Sequence, residues 1–165
     1  MSTTISVERS AEIDAPIDAV WRVSAEEFEH IDRWDANVKT SRPLSDPSTT
    51  APVGGRVCDL YNGGRTVERF VAFDPDAYRF AYEITEGLPG FVVSARNTWT
   101  HQTLGRARTR LTMRVDIEAK GLLGALMKAP LKAQMGGVLS KATTELKHYI
   151  EKGRPHPRKD KKARG

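Results

Sequence analysis

Glu68, Tyr82 and His101 are the side chains whose types could do acid–base chemistry: a carboxylate, a phenol and an imidazole, each able to exchange a proton with a substrate carbonyl. Asn97 belongs beside them, because a buried amide needs hydrogen-bond partners and a ligand can supply them. Tyr78 and Trp99 would shape a bound molecule. Other chemistries lack their residues. Gly121 and Gly124 are not followed by the Gly-Lys-Ser/Thr ending of a phosphate loop, and Gly54-Gly55 is an isolated pair. His30, His101, His148 and His156 show no metal-ligand spacing, and Cys58 has no second cysteine with which to share a zinc. No serine lies in a Gly-x-Ser-x-Gly elbow, and nothing marks Cys58 as a nucleophile. The expected site therefore has neither metal nor cofactor. Each candidate also has a plainer role: Tyr78 and Tyr82 as core rings, Trp99 as packing, Glu68 as a surface charge, His101 as an exposed strand end.

The surrounding chain must position these groups. Gly121 to Lys152 reads as one long helix, with Leu131, Met135, Val138, Leu139, Ala142, Leu146, Tyr149 and Ile150 at three- and four-residue spacing. Leu122, Leu123, Leu126 and Met127 extend that stripe N-terminally, and Pro130 with Gly136-Gly137 predicts a bend. Residues 3–14 alternate as a strand, with Ile5, Val7, Ala11 and Ile13 on one face and Arg9 as the exception. Pro16 pre-sets a short helix bearing Ile17, Val20 and Trp21. Ser24 and Glu27 form a capping-box pattern that starts a second one bearing Phe28 and Ile31. Strands follow at Val38 to Leu44, Arg56 to Tyr61, Arg65 to Phe73, from Ala77 onward, Ala95 to Gln102, and Thr109 to Ile117, with Asn62-Gly63-Gly64 a hairpin signal.

About seven hairpin-linked strands predict an α+β fold in which a curved antiparallel sheet closes over the C-terminal helix and leaves a cavity. Strand parity turns Tyr78, Tyr82, Asn97, Trp99 and His101 inward. On the strand from Arg65 parity is open: Val67, Val71 and Phe73 make one face, Thr66, Glu68 and Phe70 the other. An inward Glu68 would be a carboxylate desolvated by an apolar pocket.

Composition narrows the class. With 39% hydrophobic and 28% charged residues, the 165-residue chain suits a globular protein with a core of its own. It has no apolar run near the length of a membrane span, and Met-Ser-Thr-Thr-Ile lacks the regions of a signal peptide, so no membrane insertion and a cytoplasmic location are expected. The net charge of +5 suggests nucleic acid until it is located. Seven of the 26 Lys and Arg fall between Lys152 and Gly165, with Asp160 the single acid there, so the rest is close to neutral. That stretch has no apolar periodicity, two prolines and no aromatic to stack on a base. One domain over residues 1–152 and a disordered, solubilising basic tail over 153–165 are expected, and nucleic acid is not the expected partner. The convex sheet face offers no obvious apolar patch, which makes a monomer the default.

The string Ile13-Asp14-Ala15-Pro16-Ile17-Asp18-Ala19-Val20-Trp21, with Trp34-Asp35 after it, resembles the START-like or SRPBCC superfamily, and within it the bacterial polyketide cyclase/dehydrase and lipid-transport group. The resemblance continues in Pro52-Val53-Gly54-Gly55, Glu68, Phe73-Asp74, Tyr82-Glu83-Ile84 and the helix ending Glu145-Leu146-Lys147-His148-Tyr149-Ile150-Glu151, and spans roughly residues 3–152. It implies a helix-grip fold with Glu68 and Tyr82 turned inward, and Gly87-Leu88-Pro89-Gly90-Phe91 near the cavity mouth as a gate. The set expected to meet a ligand is Trp34, Glu68, Phe70, Tyr78, Phe80, Tyr82, Phe91, Asn97, Trp99, Met113, Met127, Leu131, Met135 and Leu139. The implied partner is a hydrophobic small molecule such as a lipid or polyketide, bound or transported; the alternative is a polyketide cyclase/aromatase or dehydratase.

Overall fold

The computed structural model describes all residues, Met1–Gly165. Strands β1 (Ser2–Ile13), β2 (Val38–Leu44), β3 (Gly55–Leu60), β4 (Arg65–Asp74), β5 (Arg79–Glu86), β6 (Val92–Gly105) and β7 (Arg108–Lys120) form one antiparallel sheet in the order β1-β7-β6-β5-β4-β3-β2. Helices α1 (Ile17–Trp21), α2 (Gly121–Leu126), α3 (Lys128–Lys152) and α4 (Pro157–Arg164) complete the chain. The sheet wraps α3 in the expected helix-grip arrangement. The clean alternation on β7 explains why: Leu111, Met113, Val115, Ile117 and Ala119 are all buried on the concave face. β1 joins β7 along its whole length, from Ser2 opposite Lys120 to Ile13 opposite Thr109.

Arg9, the polar exception on the inner face of β1, marks where α3 crosses. A Cβ on Gly136 would lie 2.6 Å from Arg9 Nη2, and Arg9 Nε donates to Ser140 Oγ at 3.2 Å. Gly136 is thus a close-approach glycine rather than a bend, and α3 runs through it unbroken. The break falls earlier, at Met127. Pro130 then sits in the first turn of α3, where a missing N–H costs no intrahelical bond. Because the break resets the helix axis, the apolar stripe does not carry across it. Leu131, Leu139 and Leu146 are buried as expected, while Leu122, Leu123 and Leu126 stand exposed.

Two further expectations are corrected. Instead of a second capped helix, α1 runs into a π-helical turn at Arg22–Glu26, followed by a 3-10 helix at Phe28–Arg33. Ser24 lies buried inside the turn with its hydroxyl 2.7 Å from His101 Nε2, so it caps nothing. The stretch expected to be disordered contains α4. Pro157 occupies its first turn, the His156 side chain accepts from the Arg158 N–H at 3.1 Å, and the basic residues cluster in its last turn. Arg158 Nε donates to the buried Glu145 carboxylate at 2.9 Å, and the Lys159 ammonium donates to the Val38 carbonyl. A buried carboxylate needs a counter-charge, and the tail supplies it. No helix is long and apolar enough to cross a membrane.

Candidate ligand cavity

The concave face divides into a filled end and an open one. At the filled end α1 and the 3-10 helix cover Trp21, Phe28, Phe70, Phe73 and Phe80, with ring centroids 4.3 Å apart for Phe28 and Phe70, and 5.2 Å for Trp21 and Phe73. His101 belongs here. Its Nδ1–H donates to the Tyr78 carbonyl at 2.9 Å, leaving Nε2 to accept from Ser24. Burial lowers its pKa to about 4, so the ring is neutral. Tyr78 precedes β5 at a φ of 50° and turns its hydroxyl outward to donate to Asp18. Phe70, Phe80, Tyr78 and His101 therefore support the fold without facing the cavity.

Beyond that cluster lies a cavity of about 520 Å³, lined by 31 residues of which 20 are hydrophobic. Of the residues anticipated from sequence, Trp34, Glu68, Tyr82, Asn97, Trp99, Met113, Leu131, Met135 and Leu139 line it. Phe91 and Met127 are half-buried and do not line it. Gly87, Leu88 and Pro89 of the β5–β6 connection do. The parity of β4 resolves through irregularity. Bulges between Val67 and Glu68 and between Phe70 and Ala72 shift the register. The first shift leaves Thr85 of β5 unpaired, so β4 alternates undisturbed and Thr66 and Glu68 face the cavity on the same side as Phe70. The second leaves Val71 of β4 unpaired, so Phe73, an odd number of residues past Phe70, still reaches the aromatic cluster.

Glu68 is not a lone carboxylate. Arg56, its direct partner across β3 and β4, is almost wholly buried, and its Nε and Nη2 both lie 2.6 Å from Glu68 Oε2. Arg56 Nη1 donates to the Phe28 carbonyl at 2.8 Å, and the guanidinium lies 3.7 Å from the Phe28 ring centroid. Desolvation acts to lower the Arg56 pKa, but the adjacent Glu68 charge turns the balance upward and the cation persists. Burial, with Glu68 nearby, raises the Tyr82 pKa well above its ordinary value, which makes the phenol a neutral donor. Burial likewise raises Cys58, a cavity-lining residue, so it stays a thiol.

Asp35, like Arg56, is a cavity group outside the set expected from sequence. Its carboxylate accepts the Asn37 N–H at 2.8 Å. Desolvation first, then the charges of Glu145 and Glu68, raise its pKa to about 6. Glu145, behind it, accepts the Ala36 N–H at 3.0 Å. Tyr82 and Asn97 are direct cross-strand partners on β5 and β6, and neither side chain is engaged within the protein. Trp99 Nε1 is buried without a partner as well. An apolar chamber with an unengaged phenol–amide pair can hold a hydrophobic molecule and take one of its oxygens.

Residues 4–151 match the family model described as polyketide cyclase/dehydrase and lipid transport. Curated protein sequences contain no match. Among solved structures, a START superfamily protein from Mycobacterium smegmatis is similar at 17% identity and a TM-score of 0.72, covering 89% of this chain and 97% of that one. The Zhui aromatase/cyclase from Streptomyces sp. R1128 is similar at 19% identity and a TM-score of 0.71, covering 91% and 95%. Norcoclaurine synthase from Thalictrum flavum is similar at 14% identity and a TM-score of 0.73, covering 93% and 98%. At such identities the likeness is one of fold.

Proposed function

The chain belongs to the polyketide cyclase/dehydrase and lipid transport family, of the START-like or SRPBCC type, and we propose that it binds or carries a hydrophobic small molecule, a lipid, a polyketide or a similar compound, between the sheet and α3. The observation that carries this reading is the cavity itself, about 520 Å³ and lined mostly by apolar side chains, within the range of small-molecule sites. The Tyr82–Asn97 pair favours a ligand with a neutral oxygen function at one end. Arg56 is held by Glu68 and the Phe28 carbonyl, and Lys162, the other cation lining the cavity, is exposed at its edge, so a carboxylate deep in the cavity would meet no unpaired cation.

Native mass spectrometry of the purified protein, followed by denaturing extraction, tests this. A stoichiometric apolar adduct is expected, and Leu139→Trp, which fills the cavity from α3, should abolish it without unfolding the chain. Failure of every apolar probe to bind the wild type would overturn the reading.

A second reading is a cyclase/aromatase or dehydratase, and Asp35 favours it. A cavity carboxyl with a pKa of about 6 exchanges protons near neutrality. In that case Asp35→Asn abolishes turnover of a poly-β-keto substrate while leaving its binding intact; undiminished turnover in the variant removes Asp35 from the chemistry.

A further inference from the structure

We propose that α2 and its flanking lysines form a docking surface for an anionic lipid bilayer, set beside the cavity mouth. Leu122, Leu123 and Leu126 are 75%, 54% and 68% exposed. They share one side of α2, and the opposite side is pinned: a Cβ on Gly124 would lie 2.9 Å from the Ala119 Cβ. The helix therefore cannot roll to hide its leucines. A fixed cluster of bare leucines implies something that covers it.

Charge identifies what covers it. From Ala119 to Thr144 the chain has Lys120, Lys128, Lys132 and Lys141 and no acid at all; the first three, flanking α2, are exposed. Leucine and lysine together are a poor protein-binding set, since interface cores are depleted of lysine and their energetic centres are Trp, Tyr and Arg. They suit a bilayer surface, where leucines enter the acyl boundary and lysines snorkel to anionic headgroups. Such contact is peripheral, in keeping with the absence of a spanning helix.

Position adds the reason. Ala119, on which α2 rests, is the strand partner of Val92, and Val92 lines the cavity. Leu131, just past α2, lines it too. The Lys120 N–H donates to the Phe91 carbonyl at 2.8 Å, tying α2 to the uncharged Gly87–Val93 segment. Gly87 and Pro89 of that segment are exposed and line the cavity, so docking through α2 would bring this side of its opening toward the membrane, where an apolar cargo could transfer without crossing water.

Cosedimentation of the full chain with vesicles tests this, comparing phosphatidylcholine alone with phosphatidylcholine mixed with phosphatidylglycerol. Binding to the mixed vesicles, weakened by salt, is expected. The variant Leu122→Ser/Leu123→Ser/Leu126→Ser should bind at least about tenfold more weakly, and Lys128→Glu/Lys132→Glu about tenfold or more. Both should keep the wild-type melting temperature and cavity occupancy, which separates failure of docking from failure of ligand binding. Leu126→Ser alone serves if the triple variant misfolds. No binding to mixed vesicles overturns the proposal. So does binding unaffected by the leucine changes but removed by Lys161→Glu/Arg164→Glu, which assigns the contact to α4. Self-association that the serines abolish, without vesicle binding, also overturns it and gives the leucines to a second copy of the chain.

Discussion

One curved sheet presents two unlike interiors. Toward α1, the hollow is filled by Phe28, Phe70, Phe73, Phe80 and Trp21, and its imidazole, His101, has both nitrogens engaged. Toward α2, the same strands enclose about 520 Å³, with an unengaged phenol and amide and with Asp35 in the wall. Aromatic side chains that would fill the second half are absent from α3, whose lining residues there are Leu131, Gln134, Met135, Val138, Leu139 and Ala142. Stability is thus concentrated at one end, and the other is left free for a ligand. The Arg56–Glu68 pair stands at the boundary, touching Phe28 on one side and the cavity on the other.

The sharpest test of this division is to make similar truncations in both halves. Phe80→Ala at the filled end should cost about 4 kcal/mol, since the ring is fully buried and leaves a hole among rigid neighbours. Leu131→Ala, which enlarges an existing space, should cost about 2 kcal/mol, the low end for a buried leucine. Urea denaturation measures both, and equal costs would erase the distinction. At the boundary, Glu68→Gln leaves the Arg56 charge buried and unpaired and should cost about 3 kcal/mol. The apolar double replacement Arg56→Met/Glu68→Leu should recover most of that loss if the pair serves specificity rather than stability.

The two halves were unequally legible in the sequence. Period-two alternation on β6 and β7 was enough to turn Asn97, Trp99 and Met113 inward, because one face is buried from Ala95 to His101 on β6 and from Thr109 to Ala119 on β7. On β4 the bulge at Val71 brought Phe73 to the face of Glu68 and Phe70 and mixed the parities, and no periodicity can reveal an inserted residue. Arg56 could have been found: the Asn62-Gly63-Gly64 hairpin sets it opposite Glu68, and its strand parity matches Cys58. Asp35 could not, since it follows a 3-10 turn without a period, and the charge that acts on it from α3, Glu145, lies over a hundred residues away. The α4 helix was hidden for a related reason. Its composition reads as disordered, and what orders it is Glu145, a tertiary partner invisible to local pattern. On α2 the stripe loses its phase at Met127, so leucines that continue the apolar spacing form an exposed face.

The smallest and most discriminating difference between the halves is their response to acid. His101, with a pKa of about 4 in the fold against 6.5 ordinarily, is favoured neutral. Its contribution is complete above pH 6.5 and is lost as the pH falls toward 4. Asp35, about 6 in the fold against 3.8, is favoured protonated. Its contribution is complete below pH 3.8 and is lost as the pH rises through 6. Over pH 4 to 6 the two slopes oppose each other, each on the order of 2 kcal/mol across the window once partial solvent access at Asp35 is allowed for. Their contributions to the wild-type profile should therefore nearly cancel. Replacing one group at a time unmasks the other: Asp35→Asn should lose stability on acidification, and His101→Gln should gain it relative to its own value at pH 7. Denaturation midpoints at pH 4, 5, 6 and 7 for the three proteins decide the matter. Parallel curves would mean that neither end titrates as its surroundings require, and the contrast between a sealed end and an open one would then rest on packing alone.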